Sequence, residues 1–232
     1  METTYDINGW KIGETRMSES GAVTRTFTYD TLGNILQETD ELGNHTIFTY
    51  DILGRLATKT LPNGLLSTYA YDVNSNIFEE TIDTHPPTRS TYDRDNRRTS
   101  VTDPLGNTIH TEYNTRGQVI RAIDAKGIAT VRTYDARGKV LTEAREGKVI
   151  TYTYDVLGNL VTLQDANGNT TSYAYDGNGR LIRETLPDGN TTLYTYDTRG
   201  NVATKKDPND SFTTYTYDAL SRVVRRDYAL AP

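Results

Sequence analysis

The residues in this chain best suited to chemistry come in pairs, a tyrosine followed at once by an aspartate. Such pairs stand at Tyr29-Asp30, Tyr50-Asp51, Tyr71-Asp72, Tyr92-Asp93, Tyr134-Asp135, Tyr154-Asp155, Tyr175-Asp176, Tyr196-Asp197 and Tyr217-Asp218, after an earlier one at Tyr5-Asp6. Tyr113-Asn114 fills the one gap. A phenol beside a carboxylate is a candidate for catalysis or for gripping a sugar. Catalysis, however, needs one convergent site, and eleven phased copies do not make one. The expected role is structural, with the ring packing and the Asp bonding turn backbone. Asp165-Ala166-Asn167-Gly168-Asn169 opens like a calcium loop but lacks the acidic residue that would close it, so a turn is expected there. His45, His85 and His110 fall in different repeats without metal-ligand spacing. No nucleophile elbow, phosphate loop or His-Glu-x-x-His motif is present. The chain is therefore expected to have no catalytic residue, no cofactor and no metal ligand, and not to be an enzyme.

Bulk properties exclude further classes. The chain has 25 basic against 31 acidic residues, a net charge of −6, which opposes binding to nucleic acid phosphates. It has no cysteine, hence no disulfide framework. No apolar run is long enough to span a membrane. The N-terminal residues lack the basic and apolar regions of a signal peptide. Hydrophobic residues make up 35% and mean hydropathy is −0.65. A chain this polar either stays disordered or draws stability from extended sheets; its 17 Tyr and frequent Thr favour sheets.

The elements that would position the pairs follow from spacing. Successive Tyr lie 24, then 21 five times, then 20, then 21 three times apart. After Tyr-Asp come two variable residues, then commonly Gly (Gly54, Gly158, Gly179, Gly200), a polar residue and two apolar ones. Half a repeat later stands a second turn signal, as in Leu61-Pro62-Asn63-Gly64 and Asp103-Pro104-Leu105-Gly106. Two turns per repeat leave segments of strand length and none long enough for a helix. The prediction is an all-β array of strand, turn, strand, turn, about 22 short strands over residues 1–232, with an atypical first repeat and an incomplete last one. An aromatic two residues before the repeat Tyr (Phe27, Phe48, Tyr69, Tyr152, Tyr173, Tyr194, Tyr215) shares its face. Stacked repeats are thus expected to build ladders of packed rings, interrupted in the middle by Ser90, Thr111 and Arg132.

The unit Tyr-Asp-x-x-Gly-Arg-Leu, clearest at Tyr50 to Leu56 and Tyr175 to Leu181, with Asp103 to Gly106 as the second turn, closely resembles the RHS/YD-repeat family. That family includes bacterial polymorphic toxins, C components of toxin complexes and animal teneurins. The resemblance implies an antiparallel strip of β-hairpins that spirals into a hollow shell, which in toxin members encloses a C-terminal effector. The last unit, Tyr217-Asp218-Ala219-Leu220-Ser221-Arg222, is not followed by the terminal core motif of those members, so autoproteolysis and toxicity are not carried over to any residue here.

Some 22 strands at about 4.8 Å make a strip on the order of 100 Å long, which closed into a ring would be about 30 Å across. That is too narrow for a large folded cargo. The expected function is a non-catalytic scaffold, a segment of an RHS/YD shell that encloses or displays a toxin or other cargo. Its expected partners are the remainder of a larger shell or an encapsulated effector polypeptide, with self-association through edge strands as a further route. The alternative is a cell-surface module binding carbohydrate or protein on its Tyr-rich surface. The expected setting is a larger bacterial protein, secreted or surface-bound.

Overall fold

The computed structural model describes residues 1–19 and 21–230. Every element among them is a strand or a turn. The chain forms two compact units, Met1–Glu112 with Ile123–Gly127, and Tyr113–Ala122 with Ile128–Pro232. The division falls within the middle repeats, where Thr111 and Arg132 replace the first aromatic.

The first unit holds β1 (Glu2–Tyr5), β2 (Lys11–Ser18), β3 (Gly21–Tyr29), β4 (Ile35–Thr39), β5 (His45–Tyr50), β6 (Leu56–Thr60), β7 (Leu66–Tyr71), β8 (Ile77–Ile82), β9 (Thr88–Tyr92), β10 (Arg98–Thr102) and most of β11 (Thr108–Tyr113). Each strand pairs antiparallel with the next in sequence from β1 to β11. The second unit holds most of β12 (Val119–Ile123), then β13 (Ala129–Tyr134), β14 (Val140–Arg145), β15 (Lys148–Tyr154), β16 (Leu160–Gln164), β17 (Thr170–Tyr175), β18 (Leu181–Thr185), β19 (Thr191–Tyr196), β20 (Val202–Lys206), β21 (Ser211–Tyr217) and β22 (Val223–Leu230). From β13 to β22 neighbours in sequence are again antiparallel neighbours in the sheet. Departures from the 21-residue interval are absorbed locally. The short interval before Tyr154 contains a two-residue turn, Glu146 and Gly147 at φ 51° and 76°, the positive values a tight hairpin turn requires. The long interval before Tyr29 contains the lengthened β2 and β3, of 8 and 9 residues.

The Tyr-ended strands whose hairpin pairing is described enter the hairpin with the same irregularity. In β3–β4, Phe27 opposes Glu38 and Thr28 opposes Gln37, then Tyr29 opposes Ile35, so one residue bulges from the second strand. The same shift recurs at Tyr50, Tyr71, Tyr134, Tyr154, Tyr175, Tyr196 and Tyr217. The seam between successive hairpins is laddered at the end away from Tyr-Asp: Gln37–Ile47, Glu38–Thr46 and Thr39–His45 join β4 to β5.

Alternation assigns the two faces. Along β5, Thr46, Phe48 and Tyr50 are half-buried while His45, Ile47 and Thr49 are exposed. The exposed face carries cross-strand hydroxyl pairs, Thr49–Thr58, Thr133–Thr142, Thr153–Thr162 and Thr195–Thr204, each at 2.6 Å. Among the described residues no hydrophobic side chain is buried, and the buried polar ones are Ser67 and Thr213. Within each unit the sheet is a single layer, and the half-buried ring face is the closest it has to a core.

Candidate functional site

The feature built most regularly by the chain is the Tyr-Asp turn. Asp30 accepts two backbone bonds on Oδ1, from Leu32 N–H and Asn34 N–H, both 2.9 Å. Its Oδ2 accepts from the Asn34 side-chain amide at 2.8 Å. Its own N–H donates to Asn34 C=O at 2.9 Å, and Gly33 N–H returns to Asp30 C=O at 3.2 Å. Gly33 closes this turn at φ +89°, a conformation other residues adopt at a cost. The residue four after the Asp varies in a narrow way: Asn76, Asn159 and Asn201 bond the carboxylate by amide, Arg55, Arg97, Arg180 and Arg222 by guanidinium. Where Asn114 replaces the aspartate, its Oδ1 accepts the same two backbone bonds and its amide donates to Gln118 at 2.7 Å.

These bonds set the electrostatics. The Asn76 amide, then its backbone N–H, hold the Asp72 carboxyl below the usual carboxylate range. Arg55 does the same for Asp51, first through its side chain. For Asp218 the Arg222 backbone N–H is the larger cause. Asp30, Asp93, Asp135, Asp155, Asp176 and Asp197 are lowered in the same sense. Partial burial pushes the Tyr50, Tyr71, Tyr154, Tyr175 and Tyr196 phenols up. Both shifts make poor acid–base groups near neutrality: the aspartates stay charged and the tyrosines stay protonated.

The Tyr side chains tie one hairpin to the previous one. Tyr50 donates its hydroxyl to Ile35 C=O at 2.8 Å, Tyr71 to Leu56 at 2.8 Å, Tyr92 to Ile77 at 2.8 Å and Tyr134 to Val119 at 2.6 Å. Tyr154, Tyr196 and Tyr217 repeat it on Val140, Leu181 and Val202, and Tyr29 reaches Lys11 C=O. Each acceptor is the first residue of the strand behind, at the Tyr-Asp end of the seam where the backbone ladder stops. The hydroxyl supplies a bond that the diverging backbones do not.

The expected ladder of rings on rings is not what the described residues form. Within each unit, up to β21, the Tyr-bearing strands alternate with strands that carry no Tyr, so the Tyr rings of successive repeats sit two strands, about 10 Å, apart. What covers a ring is the residue four after the Asp of the preceding turn. Arg55 lies 4.5 Å from the Tyr71 ring centre, Arg180 4.5 Å from that of Tyr196 and Lys139 5.1 Å from that of Tyr154. At the first repeat Trp10 takes the position, 5.4 Å from Tyr29 and tilted by 43°. Arg116 donates to Ala136 C=O at 2.7 Å and Arg137 to Val156 C=O at 2.6 Å, bonding adjacent turns directly.

The first aromatic of each strand faces a different partner. Phe27 opposes Glu38, Phe48 opposes Lys59, Tyr69 opposes Glu80, Tyr173 opposes Glu184 and Tyr194 opposes Lys205. At the interrupted repeat Arg132 opposes Glu143 and pairs with it at 2.7 Å.

Asp165, His45 and His85 are occupied by local bonds. Asp165 spends its carboxylate on Asn167 N–H, Asn169 N–H and the Asn169 amide, the same turn as at Tyr-Asp. His45 bonds Gln37 and Thr39 on its own seam, and His85 bonds Ile82 C=O. Among the described residues no group of three or more His, Cys, Asp or Glu is placed to hold a metal ion. Among the described residues no helix is long and apolar enough to cross a membrane. Thus the Tyr singled out by spacing end the strands that enter these turns, and the Asp and Gly fall within them. The residue four after the Asp is the participant that spacing alone does not single out, although its restriction to Asn, Arg, Lys, Gln and Trp is visible in the repeats.

Comparison with known proteins places this geometry. The teneurin YD-shell family model matches residues 10–192 and 79–231. Two solved structures share the fold: TcdB2-TccC3-Cdc42, 18% identical with a TM-score of 0.51, and TcdB2-TccC3 without its hypervariable C-terminal region, also 18% and 0.51. Each match covers 97% of this chain, and 16% and 15% of the respective larger chains. No match was found among curated proteins.

Proposed function

The chain belongs to the teneurin YD-shell family, and we propose that it is a non-catalytic segment of such a shell, whose sheet lies against an enclosed polypeptide. The observation that carries this reading is the single-layer sheet with no buried hydrophobic side chain among the described residues. A globular domain buries one face of its sheet against another layer. Here the second layer is supplied from outside the units themselves. The turn tips support this, because Ile52, Val73 and Val156 stand almost wholly exposed at 101%, 99% and 83%. The Tyr-Asp turns serve the scaffold and not chemistry: their polar groups are consumed within and between turns. We assign Tyr, Asp and Gly of each repeat to that structural role, in a larger protein that is secreted or displayed at a cell surface.

Cross-linking mass spectrometry on the protein isolated from the cells that make it tests the reading. Lys59 and Lys205, which share the face of the rings, are expected to link to a polypeptide segment outside the array. Absence of such links, together with selective glycan binding lost on replacing one exposed Tyr cluster, would instead favour a carbohydrate-binding surface.

A further inference from the structure

An asparagine followed by glycine can cyclise onto the glycine nitrogen, which has no side chain to screen it. The chain holds four such pairs, Asn8-Gly9, Asn63-Gly64, Asn167-Gly168 and Asn178-Gly179, each at the third and fourth positions of a turn. In all four the glycine N–H bonds back to the carbonyl of the turn's first residue: Gly9 to Asp6 at 3.1 Å, Gly64 to Leu61 at 2.9 Å, Gly168 to Asp165 and Gly179 to Asp176 at 3.0 Å. That bond restrains each glycine nitrogen alike, so it does not rank them.

The first residue of the turn does. In three turns it is an aspartate whose Oδ1 accepts the asparagine's own N–H, Asp6 from Asn8 at 2.9 Å, Asp165 from Asn167 at 2.8 Å and Asp176 from Asn178 at 2.9 Å. The Asn169 side-chain amide and the Arg180 guanidinium hold the Asp165 and Asp176 carboxyls below the usual carboxylate range, so both stay charged. Cyclisation begins with an anionic glycine nitrogen and passes negative charge to the amide oxygen, and a carboxylate in the same turn opposes both. The turn from Leu61 to Leu65 has leucine in that place. There Asn63 does the capping itself, its Oδ1 accepting Leu65 N–H at 3.1 Å, a bond that draws electrons from Cγ. Asn63 and Gly64 are both exposed, and nothing stands within 4 Å of where a Cβ on Gly64 would lie.

We propose that Asn63 is a site of spontaneous deamidation, reacting ahead of the other three because its turn carries no carboxylate. The Gly64 nitrogen loses its proton and bonds to Asn63 Cγ. The Cγ–Nδ2 bond breaks, and ammonia leaves with a proton in place of the one given up. Water then opens the succinimide, at Cγ to give aspartate or at the main-chain carbonyl to give isoaspartate. The chain already contains the aspartate form of this turn. In Leu186-Pro187-Asp188-Gly189-Asn190, Asp188 Oδ1 accepts Asn190 N–H at 2.9 Å and Gly189 N–H bonds Leu186 C=O at 2.9 Å. The aspartate product therefore keeps the turn. Isoaspartate adds a backbone carbon between Leu61 N–H and Leu65 C=O, which bond at 2.9 Å, and loosens the seam where Thr60 opposes Leu66.

Peptide mapping by mass spectrometry after incubation at mildly alkaline pH tests this, with isoaspartate labelled by a protein-isoaspartate methyltransferase. In the folded protein Asn63 should convert at least about fivefold faster than Asn167, the rate equivalent of roughly one hydrogen bond. In urea the gap should close. Leu61→Asp should slow Asn63 to the rate of Asn167 without changing the β spectrum, because Asp103-Pro104-Leu105-Gly106 is already such a turn. Asn63 reacting no faster than Asn167 in the folded protein, a gap as wide in urea, or an unchanged rate in folded Leu61→Asp would each overturn the proposal. The comparison of folded and urea-treated protein needs no variant and decides by itself, and either result holds whatever the sheet lies against.

Discussion

The aspartate after each tyrosine works by accepting, and its charge decides how well. Asp72 accepts on Oδ1 from Asn74 and Asn76 N–H and on Oδ2 from the Asn76 amide, each at 2.9 Å. Asn114 shows that an amide can replace the carboxylate for the two backbone bonds. Asp72→Asn should therefore keep the turn with a lowered melting temperature, and Asp72→Ala should lower it further. Because the carboxyl is held below its unfolded value of about 3.9 in the fold, its contribution is present above that pH and fades as pH falls through the folded value. The gap in melting temperature between wild type and Asp72→Asn should accordingly close on acidification below about pH 3.9, and a gap that persists there would remove charge from the explanation. Since the same lowering recurs at Asp30, Asp51, Asp93 and further repeats, the whole array should melt at lower temperature in acid. A second residue-scale effect lies in the turns that lack glycine. Ser221 sits at φ 59°, where an L side chain costs about 1–2 kcal/mol, so Ser221→Gly should stabilise the last hairpin by up to about 1 kcal/mol, seen as slower amide exchange in β21 and β22.

At the scale of the element, the two ends of each hairpin look alike in sequence and differ in their neighbours. Gly33 and Gly43 have nearly the same φ, +89° and +83°, but a Cβ on Gly33 would come within 3.1 Å of the Trp10 ring whereas one on Gly43 would meet nothing within 4 Å. Gly33→Ala should cost the strain of the turn plus displacement of a rigid ring, and Gly43→Ala the strain alone. Equal urea midpoints for the two would mean that Tyr-Asp turns do not pack on one another. Tyr71→Phe keeps the ring under Arg55 but removes the bond to Leu56 C=O, and should cost about 1 kcal/mol in urea unfolding. Strand positions, turn positions and the all-β class are legible in the amino-acid sequence, because Tyr-Asp and the second turn signal punctuate the chain at nearly constant intervals. The ring ladder fails for a physical reason that spacing hides: spacing along the chain shows which rings share a face, but not that another strand separates each Tyr-Asp strand from the next. The hydroxyl bond to a carbonyl fifteen residues back is hidden for a related reason, since it depends on how far the hairpins diverge at their bulged end.

At the scale of the molecule, each unit is held by contacts between neighbouring strands without a common core, so its stability is a sum over seams. That makes whole repeats interchangeable and half repeats not. Deleting Asp155 to Tyr175, one 21-residue interval, joins Tyr154 to Asp176 and leaves every later strand with neighbours of the same kind. The shortened chain should fold with an undiminished β spectrum per residue and a modestly smaller unfolding enthalpy. Deleting Asp165 to Tyr175 removes one turn and one strand. It joins Gln164 to Asp176, so every later strand runs in the opposite direction and each later Tyr-Asp turn moves to the far edge of the sheet. A strand starting with Leu160 would then adjoin one starting with Leu181, with no tyrosine between them to reach a carbonyl and no ring beneath Asn159. Because the seams are separable, the damage should be confined to that junction and read by hydrogen exchange as a break in protection between β16 and β18. Uniform loss of protection across the second unit would mean instead that the repeats unfold as one body, and that some long-range packing stabilises them beyond the strand-to-strand bonds.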